Sequence, residues 1–291
     1  MLNNHHQPAP GQHQTGSLAT DGYALLRGAV PLPAIAELYR GVVLLLRKYD
    51  ESLPSAEFEE MLAAEPFTGE LFNRRLIELR RDNSKMFGMI YDSIQLSAPM
   101  HRLCCEAPLL EAVGAAWGVD PAGIAVTGHM LRMDPPNDTR NSLDWHQDST
   151  YYDQNLHGEN GLVVWIPMHF VDSKIGSLLV CPGSQKAGQV EYVMSDPTDA
   201  SASKQRRVPP EIVARYSPTQ VTANAGDALI LNMDTVHRSG VNSTSKLRFV
   251  AGYRYHKMLT DDFLPGKMRF HPNQTVGRLG DYRKLNDVPA H

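Results

Sequence analysis

Long hydrophobic runs are missing from this chain of 291 residues. Even the aliphatic stretch from Val42 to Leu46 is far shorter than the roughly 20 residues that a helix needs to cross a bilayer. The N-terminus is polar where a signal peptide would carry an apolar segment, so we expect no leader. The sequence therefore predicts a protein without a membrane partner.

Cysteine and net charge are also scarce. The three cysteines, Cys104, Cys105 and Cys181, are odd in number and two are adjacent, which excludes a disulfide framework and the spacing of a zinc site. We expect them to be buried and reduced, and the protein to be cytoplasmic. A net charge of −4 gives no reason to expect a nucleic-acid partner. Hydrophobic content of 42% is ordinary for a globular protein.

The character of the sequence changes near Gly118. Residues 1–18 are rich in His, Gln, Pro and Gly and predict a flexible tail. From about 30 to 118, apolar residues recur at helical spacing. From about 122 to 256, short apolar stretches alternate with Gly and Pro turns, which is typical of a β-barrel or sandwich. We interpret 19–291 as one domain, in which N-terminal helices pack outside a β core.

Short strands are predicted in the second half at 124–126, 129–133, 162–170, 177–181, 220–223, 228–231 and 247–255. A turn should separate the first two strands, and Pro167 suggests an edge strand or a bulge. Residues 188–215 hold charges and prolines and predict a mobile insertion. Such an insertion is either a lid over a site or a segment without function.

The segment Trp145-His146-Gln147-Asp148 carries a pair of metal-ligand types. Successive side chains of an extended chain point to opposite faces, so His146 and Asp148 share one face. His237, after a later strand, offers a second imidazole. Two histidines and a carboxylate hold iron in oxygenases and zinc in hydrolases. From spacing alone, a structural hydrogen bond remains open for each of the three residues.

Arginines interrupt the apolar pattern of the last strand. Alternation places Arg248 and Arg254 on one face with Val250 and Gly252. A buried guanidinium is costly unless it meets an anion, and it binds carboxylates with two parallel hydrogen bonds. The anion is either a ligand or one of the 32 acidic residues of the chain.

Several of these motifs stand in an order that resembles one family. They are His146-x-Asp148, the segment Gly-Ser-Leu-Leu-Val-Cys-Pro-Gly-Ser at 176–184, Gly226-Asp227, His237-x-Ser239-x-x-Asn242 and Arg248. This pattern, over about 124–256, is similar to the phytanoyl-CoA dioxygenase family of Fe(II)- and 2-oxoglutarate-dependent oxygenases. The resemblance implies an α+β, mainly β fold: a double-stranded β-helix, or cupin-like jelly roll, with helices outside.

The resemblance also implies roles for individual residues. His146, Asp148 and His237 would hold Fe(II), while Arg248 and Ser239 would bind the far carboxylate of 2-oxoglutarate. Tyr152 would lie beside this cosubstrate, and His129 would offer it a polar contact. With O2 as second cosubstrate, the implied activity hydroxylates a small molecule and releases succinate and CO2. Asp148 favours hydroxylation, because halogenating relatives have a small residue at its position.

Two departures from the family pattern and the substrate contacts complete the sequence-based predictions. Gln185 replaces a histidine common in relatives, and Met133-Asp134 stands where a lysine is common. The residues predicted to contact substrate are Tyr151, Asp153, His169, Asn232 and Arg254. Packing is the alternative for Tyr151 and His169, and an external salt bridge is the alternative for Arg254. A zinc-dependent hydrolase and a catalytically silent jelly-roll binding protein are the competing functions.

Overall fold

A helical layer forms the first half of the molecule. The structure, a computed structural model, describes residues 14–137, 143–152, 154–195 and 205–264. The described part of the chain begins with β1 (Gln14–Thr15), α1 (Leu18–Asp21) and β2 (Tyr23–Leu26). The layer then comprises α2 (Leu32–Tyr49), α3 (Ser55–Ala63), α4 (Glu70–Asp82), α5 (Ser84–Gln95), α6 (Ala98–Leu103) and α7 (Ala107–Trp117). As the spacing predicts, α2 buries Ile35, Leu38 and Val42, and Gly118 ends α7 with φ 70°.

The second half is built from antiparallel strands. They are β3 (Ile124–Asp134), β4 (Gly161–Pro167), β5 (Leu178–Val180), β6 (Val193–Met194), β7 (Arg206–Arg207), β8 (Thr219–Gln220), β9 (Ala228–Asn232), β10 (His237–Ser239) and β11 (Arg248–Lys257), with the short helix α8 (Pro210–Val213) before β8. The larger sheet has the order β1-β2-β9-β4-β11-β3, the smaller has the order β10-β5-β8, and β6 pairs with β7.

Two hydrophobic clusters show how these layers pack. The larger cluster joins the helices to one face of the large sheet, through residues such as Leu38, Leu131 and Phe249. The smaller cluster lies between the two sheets and includes Leu178 and Leu229. The helices therefore cover the outside of two facing sheets, which is the arrangement predicted for a jelly roll with an outer helical cover.

Three details differ from the sequence-based expectation. The predicted turn at 127–128 is absent: β3 runs through it, with Gly128 at φ 44° and a shift of register against β11 between Tyr253 and Arg254. Pro167 is not on an edge strand, because β4 lies between β9 and β11. Pro167 is the last residue of β4 and lies beyond the part that pairs with β9, so its missing N–H interrupts no bond to β9. The sequence also gave no sign of β2, which pairs with β9 in the large sheet.

The two segments predicted to be mobile lie partly outside the described residues. Residues 1–13 of the predicted tail are not described, while Gln14 and Thr15 pair with β2. In the insertion, 196–204 are not described, and the flanking residues form the β6–β7 pair and α8. No helix in the described ranges has the length and apolarity to span a bilayer.

Candidate metal centre and cavity

His146 and His237 are neighbours through their backbones, although they lie far apart in the sequence. Each donates its amide hydrogen to the carbonyl of the other, over N···O distances of 3.0 and 3.1 Å. Gln147 is extended, with φ −120° and ψ 135°, so Asp148 follows on the same side as His146. One ligand atom from each of the three buried side chains lies within 4.8 Å of the others. The structure thus brings the three predicted metal ligands together.

Hydrogen bonds orient both imidazoles toward one point. The Nδ1 atoms of His146 and His237 lie 2.7 and 2.9 Å from the carbonyl oxygens of Asp144 and Thr235. Because a carbonyl only accepts, each Nδ1 carries a proton, and Nε2 is the ring atom left to ligate a metal. Oδ2 of Asp148 lies 3.2 Å from Nε2 of His237 and 4.0 Å from Nε2 of His146. This oxygen is buried without a hydrogen-bond partner, so the three atoms fit a divalent transition metal.

The protonation states of these side chains also suit a metal. Burial, and then the neighbouring His237, lower the pKa of His146 to about 4, so its ring is neutral at pH 7. Burial alone would raise the pKa of Asp148, but Arg254 and the two histidines hold that pKa well below its ordinary value. Neutral imidazole and ionised carboxylate are the forms that ligate metals, so binding releases no proton from either group at pH 7.

A cavity of about 360 Å³ opens onto the three ligands. Val250, Gly252 and Arg254 of β11 line one wall, as the alternation along this strand predicts, and Ser239 and Trp165 line others. Outward-facing residues of the same strand, such as Phe249, pack in the larger hydrophobic cluster instead. The volume is within the usual range of pockets for small molecules.

Arg248 is 3% exposed and is not among the described residues that line the cavity. Its Nη2 and Nε donate to Oδ2 of Asp134 at 2.7 and 3.1 Å, and its Nη1 donates to the carbonyls of Gly176 and Gly240. A Cβ at position 176 would lie 2.6 Å from the Gly240 oxygen, and Gly176 has φ 81°, so glycine is required for this approach. Of the two anions that the sequence leaves open, the structure shows an acidic side chain.

A second arginine shares this carboxylate. Arg132 donates from Nη2 to Oδ1 of Asp134 at 3.0 Å and from Nε to Oδ2 at 3.2 Å. Burial would raise the pKa of Asp134, but the guanidinium groups of Arg132 and Arg248 outweigh it and lower that pKa. We call these three residues the two-arginine cluster. It borders the cavity through Arg132.

Three other residues from the sequence-based predictions border the cavity. Tyr152 stacks on Arg254, whose guanidinium carbon lies 4.6 Å from the ring centre. The hydroxyl of Tyr151 accepts a hydrogen bond from the amide of Arg206 at 2.6 Å. His129 borders the cavity, yet its Nε2 lies 2.8 Å from the carbonyl oxygen of Gln95 in α5. The His129 ring therefore contacts the helical layer.

His169 and Asn232 hold the backbone instead of facing the cavity. Nε2 of His169 accepts from the amide of Phe249 at 3.1 Å, and Oδ1 of Asn232 accepts from the amide of Asp234 at 2.8 Å. Neither is among the described residues that line the cavity. The packing alternative for His169 is therefore the one that the geometry shows. Asp153 lies outside the described residues.

Sequence reasoning missed three side chains at the site. Arg132 could have been found, because alternation along β3 places it on the same face as Asp134. Gln147 is fully buried and donates to the carbonyls of Gly188 and Asp234 at 2.8 and 2.7 Å, while Gln205 accepts from the amide of Asp144 at 3.0 Å. No local sequence pattern predicts either glutamine. The contacts of Gln147 with Gly188 and of Gln205 with Asp144 form only when the insertion packs against the segment that carries His146.

Solved structures with the same fold support this description. The non-heme monooxygenase ThoJ has a TM-score of 0.53 at 18% identity, over 82% of this chain and 75% of that one. AviO1 from Streptomyces viridochromogenes Tue57 has a TM-score of 0.51 at 18% identity, over 86% and 94%. The epimerase SnoN, in complex with Fe3+, alpha ketoglutarate and nogalamycin RO, has a TM-score of 0.50 at 18% identity, over 89% and 91%.

Two facing antiparallel sheets around a His–Asp–His centre define a jelly-roll protein with a metal site. The family model of phytanoyl-CoA dioxygenase matches residues 18–250. The chain therefore belongs to the phytanoyl-CoA dioxygenase family, as its motifs suggest. No curated protein sequence matches the chain.

Proposed function

We propose that this protein is an Fe(II)- and 2-oxoglutarate-dependent dioxygenase that hydroxylates a small molecule. The carrying observation is the buried donor set at the cavity: the Nε2 atoms of two histidines and the unpartnered Oδ2 of Asp148. Family membership supports the same reaction class. Three protein ligands on a six-coordinate metal leave three positions for cosubstrates, which is the arrangement that such oxygenases use.

The chain would contribute geometry and protonation state. His146, Asp148 and His237 would hold Fe(II), which with 2-oxoglutarate and O2 supplies an oxidation of a C–H bond coupled to release of succinate and CO2. The carbonyls of Asp144 and Thr235 keep both Nδ1 protons in place, so the Nε2 atoms face the metal without rearrangement. All three side chains are buried, and they face the cavity from which cosubstrates would reach the metal.

Binding of the cosubstrate's far carboxylate is assigned to Arg248 and Ser239. Ser239 lines the cavity, and its neighbour Gly240 accepts a hydrogen bond from Arg248. A ligand carboxylate here would share Arg248 with Asp134, and Arg132 of the two-arginine cluster offers a second guanidinium that borders the cavity. Tyr152 would lie beside the cosubstrate, on the same cavity wall as Arg254. His129 would be a weaker contact, because its Nε2 already lies against the carbonyl of Gln95.

The substrate would enter past the rim formed by Tyr151, Met130 and Gln205. These side chains mix apolar and hydrogen-bonding surface, which suits a small organic molecule more than a macromolecule. The complex of SnoN with nogalamycin RO is a similar case on the same fold. A reducing cytoplasm is part of the proposal, and the three cysteines are free. Cys104 and Cys181 are buried as predicted, whereas Cys105 is exposed, so that part of the prediction is wrong.

The proposal is tested by anaerobic titration of Fe(II) and 2-oxoglutarate into the apoprotein. We expect a weak visible charge-transfer band and, after admission of O2, release of succinate. Asp148→Ala should abolish both. Arg248→Ala should keep the metal but weaken binding of 2-oxoglutarate by about 2–5 kcal/mol, because this guanidinium is buried.

Two outcomes would refute the proposal. Tight zinc binding without succinate formation would favour the hydrolase. Absence of metal binding and of succinate release, with or without any small molecule added, would favour the binding protein. Unchanged affinity for 2-oxoglutarate in Arg248→Ala would overturn only the assignment of the carboxylate site.

A further inference from the structure

The two carboxylate oxygens of Asp148 have different surroundings. Oδ1 accepts from Nη2 of Arg254 at 2.7 Å and from Nε at 3.1 Å. Oδ2 faces the two histidine Nε2 atoms and has no hydrogen-bond partner. Arg254 therefore binds one edge of the carboxylate and leaves the other edge to the metal position.

Arg254 is itself held in place. Its guanidinium lies over the ring of Tyr152 at 4.6 Å, and the Tyr152 amide donates to the carbonyl of Asp148 at 3.0 Å. A Cβ at position 252 would lie 3.3 Å from Nη1 of Arg254, so the glycine at 252 allows the guanidinium to pack closely against the strand. Arg254, Tyr152 and Asp148 thus form one packed unit on the cavity wall.

The number of carboxylate oxygens on the metal decides how many positions stay open. A carboxylate binds a metal through one oxygen or through both. With Asp148 bound through one oxygen, an octahedral metal keeps three positions, enough for a chelating 2-oxoacid and O2. With both oxygens bound, two positions remain, and a chelating cosubstrate would fill them.

We propose that Arg254 is a positioning residue that keeps Asp148 a one-oxygen ligand and so preserves the third open position on the metal. This inference rests on the proposed function, because it concerns the same metal. It assigns Arg254 a role other than the substrate contact or external salt bridge that the sequence leaves open. Its guanidinium acts through Asp148, by occupying Oδ1.

The test counts metal-bound water in protein loaded with Mn(II), without cosubstrate. Wild type should show three fast-exchanging waters by water-proton relaxation, and Arg254→Met should show two, about two-thirds of the wild-type relaxivity. Arg254→Lys, which keeps a donor near Oδ1, should restore the third water. Crystal structures of the Mn(II)-loaded wild type and Arg254→Met should show one and two Asp148 oxygens on the metal.

A matched control is Arg27→Met, which removes another Arg–Asp pair, Arg27 Nη1 to Asp227 Oδ2 at 2.7 Å, outside the site. It should leave the water count unchanged. The inference fails if wild type already binds Mn(II) through both oxygens, or if Arg254→Met keeps three waters. Should Arg254→Met not fold, Arg254→Gln, which is shorter and uncharged, takes its place and should likewise show two waters. Failure of wild type to bind any metal would overturn the proposed function instead.

Discussion

His146 is kept neutral by its position in the fold. It is 4% exposed, and burial together with His237 lowers its pKa to about 4. In an unfolded chain, the same imidazole would titrate near its ordinary pKa of about 6.5. The folded apoprotein therefore binds fewer protons than the unfolded chain between these two values.

This difference predicts an acid-sensitive apoprotein. Stability should be fully present above pH 6.5 and should fall as the pH drops toward 4, because protons then favour the unfolded state. At about 1.4 kcal/mol per pH unit, the loss from His146 is about 2 kcal/mol by pH 5. Denaturant unfolding at pH 7 and pH 5 measures it.

His146→Gln is the control for this prediction, since it removes the group that titrates. Its stability should depend less on pH than that of wild type, although His169, whose pKa is also lowered by burial, retains part of the effect. Equal loss of stability in the variant and in wild type would show that His146 is not responsible.

Arg248 shows what residue-level reasoning reaches and where it stops. Alternation correctly predicts that Val250, Gly252 and Arg254 share the face that lines the cavity. Arg248 is instead buried against Asp134. Alternation does not give the partner, because the partner depends on the register of β11 against β3, where Arg248 lies opposite Asp134. The sequence analysis noted Asp134 only as a departure from the family pattern and did not predict its contact with Arg248.

At the scale of elements, the predicted turn between 124–126 and 129–133 is wrong. The strand β3 continues through Gly128, which has a positive φ. Tyr152 explains this arrangement, because a Cβ at position 128 would lie 2.9 Å from its ring. The position serves close packing against a cavity residue, which no local pattern reveals.

The insertion is tied directly to the segment that carries two metal ligands. The amide of Val208 donates to the carbonyl of Trp145 at 2.8 Å, and Arg207 pairs with Asp144 at 2.5 Å. Arg206 lies between the rings of Tyr151 and Tyr192, at 5.1 and 5.3 Å. The described part of the insertion thus packs at the cavity rim, where a lid would have to lie.

Removing one contact should loosen the β6–β7 pair. Tyr151→Phe deletes the hydroxyl that accepts from the Arg206 amide. A hydrogen bond contributes about 1 kcal/mol net, so exchange of the Arg206 amide should be about fivefold faster. Hydrogen exchange at that amide is the measurement. Tyr192→Phe, which keeps the ring beside Arg206, should leave the rate near that of wild type; an equal increase in both would contradict the role of the Tyr151 hydroxyl.

At the scale of the whole molecule, the helical layer and the sheets are joined by buried polar contacts as well as apolar packing. The hydroxyls of Tyr253 and Tyr255 in β11 donate to the carbonyls of Met100 and Cys104, at 2.8 and 2.6 Å. Sequence periodicity predicts the helical first half and the longer strands of the second half, but not β2. Which helix meets which strand follows from contacts such as these, which join residues far apart in the sequence.

The metal centre depends on the same long-range assembly. His237 belongs to β10 of the smaller sheet, while His146 and Asp148 precede the turn that leads toward β4. Only the folded molecule brings their ligand atoms within 4.8 Å. A metal that binds all three therefore binds the native state in preference to the unfolded chain and must stabilise it.

Addition of Ni(II) should accordingly raise the free energy of unfolding. At a free concentration about 100 times the dissociation constant, the increase is about 2.7 kcal/mol, and denaturant unfolding with and without metal measures it.

His237→Ala should lose most of this increase at the same concentration. The two remaining ligands, His146 and Asp148, lie in one short segment, so the unfolded chain can bind the metal through them almost as well as the native state. His101→Ala removes an exposed imidazole on α6 and should keep the increase. A metal effect that survives in His237→Ala would mean that Ni(II) binds elsewhere, and that the three side chains do not act as one site.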